Sequence, residues 1–168
     1  MEINQEFFER VEAFKNFSES QRTKVKNFCE EVVFNQNDRL FCEGDPATHL
    51  WLVVDGRVDL RFEMPDMRET TNKQTVSSLK VKPQKPVART LGWSCFVPPY
   101  KMRLSAYCVT PFCRIARIHK EDLLKIFEND PLMGYRFMSY MITVVGYRFH
   151  QFQNVVAKTI GNTMLTGW

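Results

Sequence analysis

The residues in this sequence that are grouped closely enough to form a binding site are positively charged lysines and arginines. Ten of them lie between residues 73 and 120, a stretch with no acidic residue: Lys73, Lys80, Lys82, Lys85, Arg89, Lys101, Arg103, Arg114, Arg117 and Lys120. Positive charge gathered in this way can attract a small anionic ligand or a polyanionic partner. The pattern is equally typical of a solvated strand face, so charge by itself leaves both interpretations open.

Residue patterns for catalysis or metal binding are missing from the sequence. His49, His119 and His150 are far apart and show neither HxH nor HxxxH spacing, which argues against a paired-histidine metal site. No Ser-His-Asp arrangement, nucleophile elbow or Walker-type loop is present. We therefore expect a protein that is not an enzyme and holds no metal.

The five cysteines indicate free thiols. Their number is odd and no CxxC pair occurs, which argues against a disulfide framework or a zinc knuckle. Most lie among apolar residues, where cysteine behaves as a small hydrophobe, and we expect them to be buried. A length of 168 residues predicts one domain spanning residues 1–168. The absence of an apolar run of about 20 residues and of a signal-like N-terminus predicts a cytoplasmic protein that does not enter a membrane.

The elements that must position the cations fall into three blocks. Residues 1–30 predict helices, with an apolar stripe at Phe7, Phe8, Val11 and Phe14 and an N-cap pattern at Ser18 and Gln21. The next helix face is predicted from Val25, Phe28 and Cys29. Residues 31–118 predict strands, and residues 119–168 predict helices again. One block of strands between helices favours an α+β fold with an antiparallel roll or sandwich.

The clearest strand signal lies between residues 49 and 62. Apolar residues alternate on both sides of Asp55-Gly56, with Leu50, Leu52 and Val54 before the turn. Alternation around an Asp-Gly pair is the strongest short-range indication of a β-hairpin, so we expect these two strands to pair with each other.

The long helix predicted from about residue 131 carries an apolar seam. Its members are spaced alternately by three and four residues: Tyr135, Met138, Ile142, Val145, Phe149, Phe152 and Val156. Such a seam is typical of a helix that packs against a second helix. We favour a homodimer through this helix; the alternative is a helix packed along its own roll throughout.

The first strand region resembles a known family. Glu43-Gly44-Asp45-Pro46-Ala47, an apolar strand, Asp55-Gly56-Arg57-Val58 and a second strand resemble the opening of a cyclic-nucleotide-binding domain of the catabolite-activator type. The resemblance extends over about 110 residues, from 31 to 145. It implies an antiparallel double-stranded β-helix, a jelly-roll-like β-roll flanked by N-terminal helices and a long C-terminal helix.

The resemblance also implies where a ligand binds. Gly92 aligns with the glycine that opens the family's phosphate cassette, and Arg103 aligns with its phosphate-binding arginine. Trp93 stands where the family has a ribose-binding glutamate. Leu104 replaces a phosphate-binding hydroxyl, with Ser105 one step later. A lost carboxylate of this kind reduces affinity by about 1–3 kcal/mol, so we expect weak or no binding of cyclic AMP.

Gly92-Trp93-Ser94 and Pro98-Pro99-Tyr100 resemble a variant cassette of a bacterial subgroup of this family. That variant implies a pocket with aromatic walls, Trp93 and Tyr100, and two cations, Lys101 and Arg103. Arg148 on the long helix aligns near the position that meets the base. The alternative is that Trp93 and Tyr100 fill the core of a collapsed, empty roll.

The function expected from these features is regulatory. One hypothesis is a sensor that binds a small anion, a cyclic nucleotide or another phosphorylated molecule, and needs no cofactor. The alternative is a ligand-free dimerising scaffold or protein-interaction domain. The family's transcription factors carry a helix-turn-helix after the long helix, which this sequence does not show. We therefore expect no DNA binding by this chain alone, while the protein partner stays unidentified.

Overall fold

The computed structural model describes residues 5–61, 78–80 and 89–166. Within these ranges the helices are α1 (Gln5–Arg10), α2 (Glu19–Lys26), α3 (Lys120–Asn129) and α4 (Pro131–Thr166). The strands are β1 (Cys29–Asn35), β2 (Arg39–Phe41), β3 (His49–Asp55), β4 (Val58–Arg61), β5 (Ser78–Lys80), β6 (Thr90–Leu91), β7 (Ser105–Cys108) and β8 (Phe112–His119). Helices precede and follow one block of strands, as the sequence predicts.

In the described part of the chain the strands form two four-stranded antiparallel sheets. Their orders are β1-β8-β3-β6 and β2-β7-β4-β5. Neighbours in each sheet are mostly distant in sequence; β1, for example, pairs with β8 from Cys29 opposite Ile118 to Asn35 opposite Phe112. This is the predicted β-roll, and the α+β fold class is confirmed.

Strand β3 separates two apolar cores because both of its faces are covered. Leu50, Leu52 and Val54 point into a core that contains the helical residues Phe8, Phe14, Val25, Leu123, Met133 and Phe137. Trp51 and Val53 point the other way, into the interior of the roll. The alternation read from the sequence therefore divides a helical core from a roll core, rather than a core from solvent.

The predicted pairing of the strands around Asp55-Gly56 is wrong. Strand β3 pairs with β8 and β6, whereas β4 belongs to the other sheet and pairs with β7 and β5. The turn instead carries the chain from one sheet to the other. It packs against the turn between β7 and β8, since the Arg57 N–H donates to Thr110 Oγ1 (3.0 Å) and the Val109 N–H donates to the Arg57 carbonyl (3.0 Å).

The N-terminal helices follow the sequence prediction in part. Phe7, Phe8 and Phe14 are buried as expected. Helix α2 ends at Lys26, and Cys29 already begins β1, so the predicted helical face of Val25, Phe28 and Cys29 is wrong beyond Val25. The side chain of Phe28 is 46% exposed. Cys29 instead pairs with Ile118 at the start of the β1–β8 ladder.

The start of α2 is a capping box. The Gln21 N–H donates to Ser18 Oγ (3.2 Å), and the Ser18 N–H donates to Gln21 Oε1 (2.9 Å). Two of the N–H groups that a helix leaves unsatisfied at its beginning therefore have acceptors. The N-cap predicted at Ser18 is confirmed.

Replacing Ser18 with alanine is expected to lower the free energy of unfolding by about 1 kcal/mol, because one first-turn N–H loses its acceptor. Urea unfolding followed by circular dichroism would measure this change. Ser20→Ala is the matched control, since Ser20 is exposed within the same helix and alanine favours helix. An equal loss in both variants would contradict the role of the cap.

Helix α4 begins at Pro131, as the Asn129-Asp130-Pro131 sequence predicts. Its inward face packs on the helical core through Met133, Phe137, Met141 and Val144. The seam faces elsewhere: five of its residues are exposed, namely Tyr135, Ile142, Phe149, Phe152 and Val156. We call the seven seam residues from Tyr135 to Val156 the exposed strip. The alternative in which the roll covers the whole seam is therefore wrong.

The cysteines are free thiols, as expected. Cys95, Cys108 and Cys113 are buried, whereas Cys29 and Cys42 are half-buried. Burial raises the pKa of the Cys95 thiol to about 12, which keeps it protonated and unreactive. Within the described residues, no helix combines the length and the apolar character that crossing a membrane requires.

Candidate functional site

A cavity of about 490 Å³ lies between the roll and helix α4, and this volume is in the range of small-molecule sites. We call it the ligand cavity. The roll and the segment between β6 and β7 supply most of its lining, and α4 supplies the rest: Phe41, Glu43, Gly44, Leu60, Leu91, Gly92, Trp93, Ser94, Lys101, Met102, Arg103, Leu104, Val145, Arg148, Phe149 and Phe152. Six of the eight site residues predicted from the sequence are among them.

Gly92 shapes one end of the cavity. Its φ of +77° lies in the left-handed region, and a Cβ would meet the His49 carbonyl oxygen at 2.5 Å and Trp51 Cδ1 at 2.7 Å. Only glycine fits this position without a shift of β3. A 3₁₀ turn at Trp93–Phe96 follows directly and carries Trp93 and Ser94 into the lining.

Trp93 forms a wall of the cavity. Its indole is half-buried and packs against the helical core beside Phe96. Trp93 lines a cavity of about 490 Å³, so its indole does not fill the interior of the roll. The collapsed roll considered from the sequence is therefore not what the structure has.

The opposite lip joins the loop after β2 to the segment before β7. The Gly44 N–H donates to the Met102 carbonyl (2.9 Å), and the Met102 N–H donates to the Asp45 carbonyl (2.8 Å). The Cys42 N–H donates to Asp45 Oδ2 (2.9 Å), which closes the turn. These bonds fix Glu43, Lys101 and Met102 along one side of the cavity.

Arg103 lies at the mouth of the ligand cavity. Its side chain is exposed, and among the described residues it makes no hydrogen bond or ion pair. The neighbouring Leu104 turns inward and packs on the roll core. The guanidinium is thus available to an anion at the entrance, but water surrounds it and screens its charge.

Arg148 is the buried cation of the cavity. Only 6% of the residue is exposed, although it is an arginine on a helix. Its Nη1 donates to Gln151 Oε1 (2.9 Å), and its Nη2 donates to the Thr90 carbonyl (3.3 Å). Burial lowers the pKa of Arg148 to about 10, against the opposing effect of the Tyr147 and Tyr140 phenols. The side chain is still charged at neutral pH.

Two predicted site residues lie away from the ligand cavity. Tyr100 is 45% exposed, with the Lys120 ammonium 4.3 Å from its ring centroid. A left-handed φ of +57° after Pro98-Pro99 turns it outward, so the expected aromatic wall at Tyr100 is wrong. Ser105 is buried within the sheet, where its Oγ accepts from the Glu43 N–H (2.8 Å). It supports the lip and does not line the cavity.

The described members of the basic stretch between residues 73 and 120 lie in different surroundings. Arg114 and Arg117 form ion pairs with Glu31 and Glu30 across the β1–β8 pair. For these two arginines the solvated strand face is the correct interpretation. Among the described members of the stretch, Lys101 and Arg103 line the ligand cavity. Lys73, Lys82 and Lys85 lie outside the described residues.

Sequence reasoning missed the apolar lining from α4. Val145, Phe149 and Phe152 were assigned to the helix seam only, yet all three also line the cavity. The spacing that marks them as a seam contains no signal for a cavity on the same helix. Phe41, Leu60 and Met102 carried no sequence signal for a cavity. The described residues contain no group of three or more His, Cys, Asp and Glu side chains that could hold a metal ion.

Comparison with known proteins supports the fold. No family model matches the sequence, and no protein of curated function matches it. A Geobacter metallireducens protein classed as cyclic nucleotide-binding has a TM-score of 0.69 at 23% identity, over 89% of this chain and 100% of that one. A cyclic nucleotide-binding domain from Methylobacillus flagellatus has a TM-score of 0.70 at 17% identity, over 92% and 85%.

A third similar structure is a sensor domain. That of the transcriptional regulator DNR from Pseudomonas aeruginosa has a TM-score of 0.66 at 16% identity, over 87% of this chain and 91% of that one. These likenesses show that the chain has the β-roll fold of cyclic-nucleotide-binding and regulator sensor domains. The resemblance stated from Glu43–Val58 is confirmed at the level of the fold.

Proposed function

We propose that this chain is a non-enzymatic regulatory module that binds a small organic anion in the ligand cavity and reports its presence through helix α4. The observation that carries the proposal is the composition of the cavity. The roll supplies most of its lining, and α4 supplies four residues. Three of the lining residues are cations: Lys101, Arg103 and, on α4, Arg148. A ligand there touches the roll and the helix at once.

Shared residues give the module a route for signalling. Phe149 and Phe152 line the cavity and also belong to the exposed strip. A ligand that favours one placement of these rings changes the surface that α4 offers to a partner. A ligand can shift such an equilibrium only by its differential affinity for the two placements, and direct contact with the moving element provides that difference.

The partner that fits the exposed strip is a second copy of this chain. The strip repeats every seven residues on average and carries three aromatic rings, which suits pairing with an identical helix about a two-fold axis. The exposed side chains Tyr135, Ile142, Phe149, Phe152 and Val156 would be covered in such a dimer. A cytoplasmic location is part of the same proposal and agrees with the free thiols.

The proposal includes weak or no binding of cyclic AMP. Trp93 occupies the place of the ribose-binding carboxylate, and its indole supplies no acceptor for a sugar hydroxyl. The inward side chain at position 104 is leucine, which supplies no hydroxyl for the phosphate. A planar anion without a sugar suits this lining better than a nucleotide does.

Thermal unfolding with a panel of anions tests the proposal. We expect phenyl phosphate at millimolar concentration to raise the melting temperature, and cyclic AMP, cyclic GMP and AMP to raise it less or not at all. Arg103→Ala should weaken phenyl phosphate binding about fivefold, with a smaller loss at high salt, because the lost charge is exposed. The melting temperature without ligand should stay unchanged, since the described structure gives this side chain no partner.

Lys24→Ala is the matched control, because Lys24 is an exposed cation on α2 that does not line the cavity. It should leave anion binding unchanged. If no anion of the panel shifts the melting temperature of the wild type, the sensor proposal fails. The chain would then be better described as a dimerising scaffold, the alternative that the exposed strip alone supports.

A further inference from the structure

The lining of the ligand cavity includes a buried hydroxyl, that of Ser94. Two other hydroxyl-bearing side chains are buried in the described part of the chain, and both have partners. Thr90 Oγ1 lies 3.1 Å from the Tyr140 hydroxyl. Ser105 Oγ accepts from the Glu43 N–H (2.8 Å). Ser94 is only 4% exposed, yet its hydroxyl makes no hydrogen bond to any described residue. Because buried polar groups are nearly always hydrogen-bonded, this hydroxyl is open to a partner from the cavity.

The backbone around Ser94 fixes the position of this hydroxyl. Gly92 opens the 3₁₀ turn Trp93–Phe96 in the left-handed region, and the Cys95 N–H donates to the Gly92 carbonyl (3.0 Å). The Val97 N–H donates to the Ser94 carbonyl (3.3 Å). The Ser94 oxygen is not sealed off, so a group in the cavity can reach it. A serine hydroxyl can both donate to and accept from a neutral polar group.

The positive charge open to a ligand is at the mouth of the cavity. Lys101 and Arg103 are exposed, line the cavity and form no ion pair within the described residues. Met102 between them is buried, so the two cations leave the chain on the same outward side. Arg148 is buried and already has protein partners. Glu43 also lines the cavity, so a single negative charge at the mouth suits it better than two.

The rest of the lining is mainly apolar. The rings of Trp93, Phe149 and Phe152 wall the cavity together with Leu60 and Leu91. Aromatic walls favour a planar apolar group, which stacks on ring faces. The lining therefore suits a ligand with three parts, namely a charge at the mouth, a planar ring system and a neutral polar group at the serine.

We propose that Ser94 selects the ligand of this chain, and that this ligand is a planar aromatic monoanion with a neutral hydroxyl or carbonyl group remote from its charge. The two groups are remote because Ser94 follows Gly92 at one end of the cavity, whereas Lys101 belongs to the opposite lip. This inference rests on the proposed function and specifies its ligand class. Selection then depends on one neutral hydrogen bond, in addition to charge.

The probes are 6-hydroxy-2-naphthoate, its regioisomer 3-hydroxy-2-naphthoate and unsubstituted 2-naphthoate, compared by isothermal titration calorimetry on the full chain. The 6-hydroxyl is at the far end of the ring system from the carboxylate, whereas the 3-hydroxyl is beside it. We expect the 6-hydroxy compound to bind about fivefold more tightly than the other two, the gain from one neutral hydrogen bond. Ser94→Ala should erase this advantage and leave the binding of 2-naphthoate unchanged.

Two further variants are controls. Ser20→Ala replaces an exposed serine on α2 that does not line the cavity, and it should preserve the advantage of the 6-hydroxy compound. Arg103→Ala should weaken the binding of all three naphthoates by the same severalfold factor, because the charge and the hydroxyl meet different parts of the ligand.

The regioisomers keep the inference testable on the wild type if Ser94→Ala folds poorly. Equal binding of the three naphthoates would overturn it, as would an advantage of the 6-hydroxy compound that survives in a folded Ser94→Ala variant. Either result would leave the proposed function standing, since that function requires only that an anion binds. If phenyl phosphate binds and no naphthoate does, the ligand class is wrong and the module still binds anions. If no anion binds the wild type, the proposed function and this inference both fail.

Discussion

Gly56→Ala is expected to lower the free energy of unfolding by about 3 kcal/mol or more, although it adds a single methyl group. Gly56 has a φ of +83°, and a Cβ there would meet the Phe112 carbonyl oxygen at 2.5 Å and Thr110 Oγ1 at 2.8 Å. The first of these contacts is with the backbone of β8, so the clash can be relieved only if the β3–β4 turn and the β7–β8 turn move apart. Urea unfolding measures the loss.

Gly44→Ala separates the two contributions to this loss. Gly44 has nearly the same φ, +86°, but a Cβ there would meet nothing within 4 Å. It should lose only about 1–2 kcal/mol, the cost of a left-handed conformation for alanine. The difference between the variants then reports the contact between the turns. Equal losses would show that the close approach to β8 contributes nothing.

Ile142→Glu is expected to dissociate the proposed dimer. Ile142 is 74% exposed in the isolated chain and lies in the middle of the exposed strip, outside the cavity lining. In a two-fold dimer it would bring two carboxylates into an apolar interface, which should weaken association about a hundredfold or more. Sedimentation equilibrium over a range of concentrations would measure the dissociation constant.

Thr143→Glu is the control for this experiment. Thr143 is exposed on the same helix turn, and its Oγ1 donates to the Tyr140 carbonyl (2.7 Å), away from the strip. It should change the dissociation constant little, and neither variant should lose helical circular dichroism. A wild type that is monomeric at high micromolar concentration would contradict the dimer, as would equal effects of the two glutamates.

Local patterns predicted the elements well and their partners poorly. The N-cap at Ser18 and the start of α4 at Pro131 depend on a few adjacent residues, and both predictions are confirmed. The strands around Asp55-Gly56 were also located correctly. The predicted pairing of these strands was wrong because a glycine at Gly56 can adopt the backbone conformation of a turn between two sheets as readily as that of a hairpin turn. The choice between a crossover and a hairpin depends on contacts with β7 and β8, which lie some 50 residues later in the chain.

The candidate site shows the same division. Gly92, Trp93, Ser94, Lys101 and Arg103 follow one another closely, and one local resemblance was enough to group them. Tyr100 was misplaced because its outward turn depends on its own left-handed backbone after two prolines. The burial of Arg148 could not be read from its neighbours, since an arginine on a helix is usually exposed.

By itself, the sequence determined the α+β class, the positions of the helices and strands, the apolar seam of α4 and the cations near residues 101–103. Each of these depends on residue type and spacing over a few turns or one strand. Only the tertiary structure decided that β3 and β4 lie in different sheets, that the strip of α4 is left uncovered and that Arg148 is buried beside the cavity. These outcomes depend on contacts between residues distant in the chain, and local propensity carries no information about such contacts.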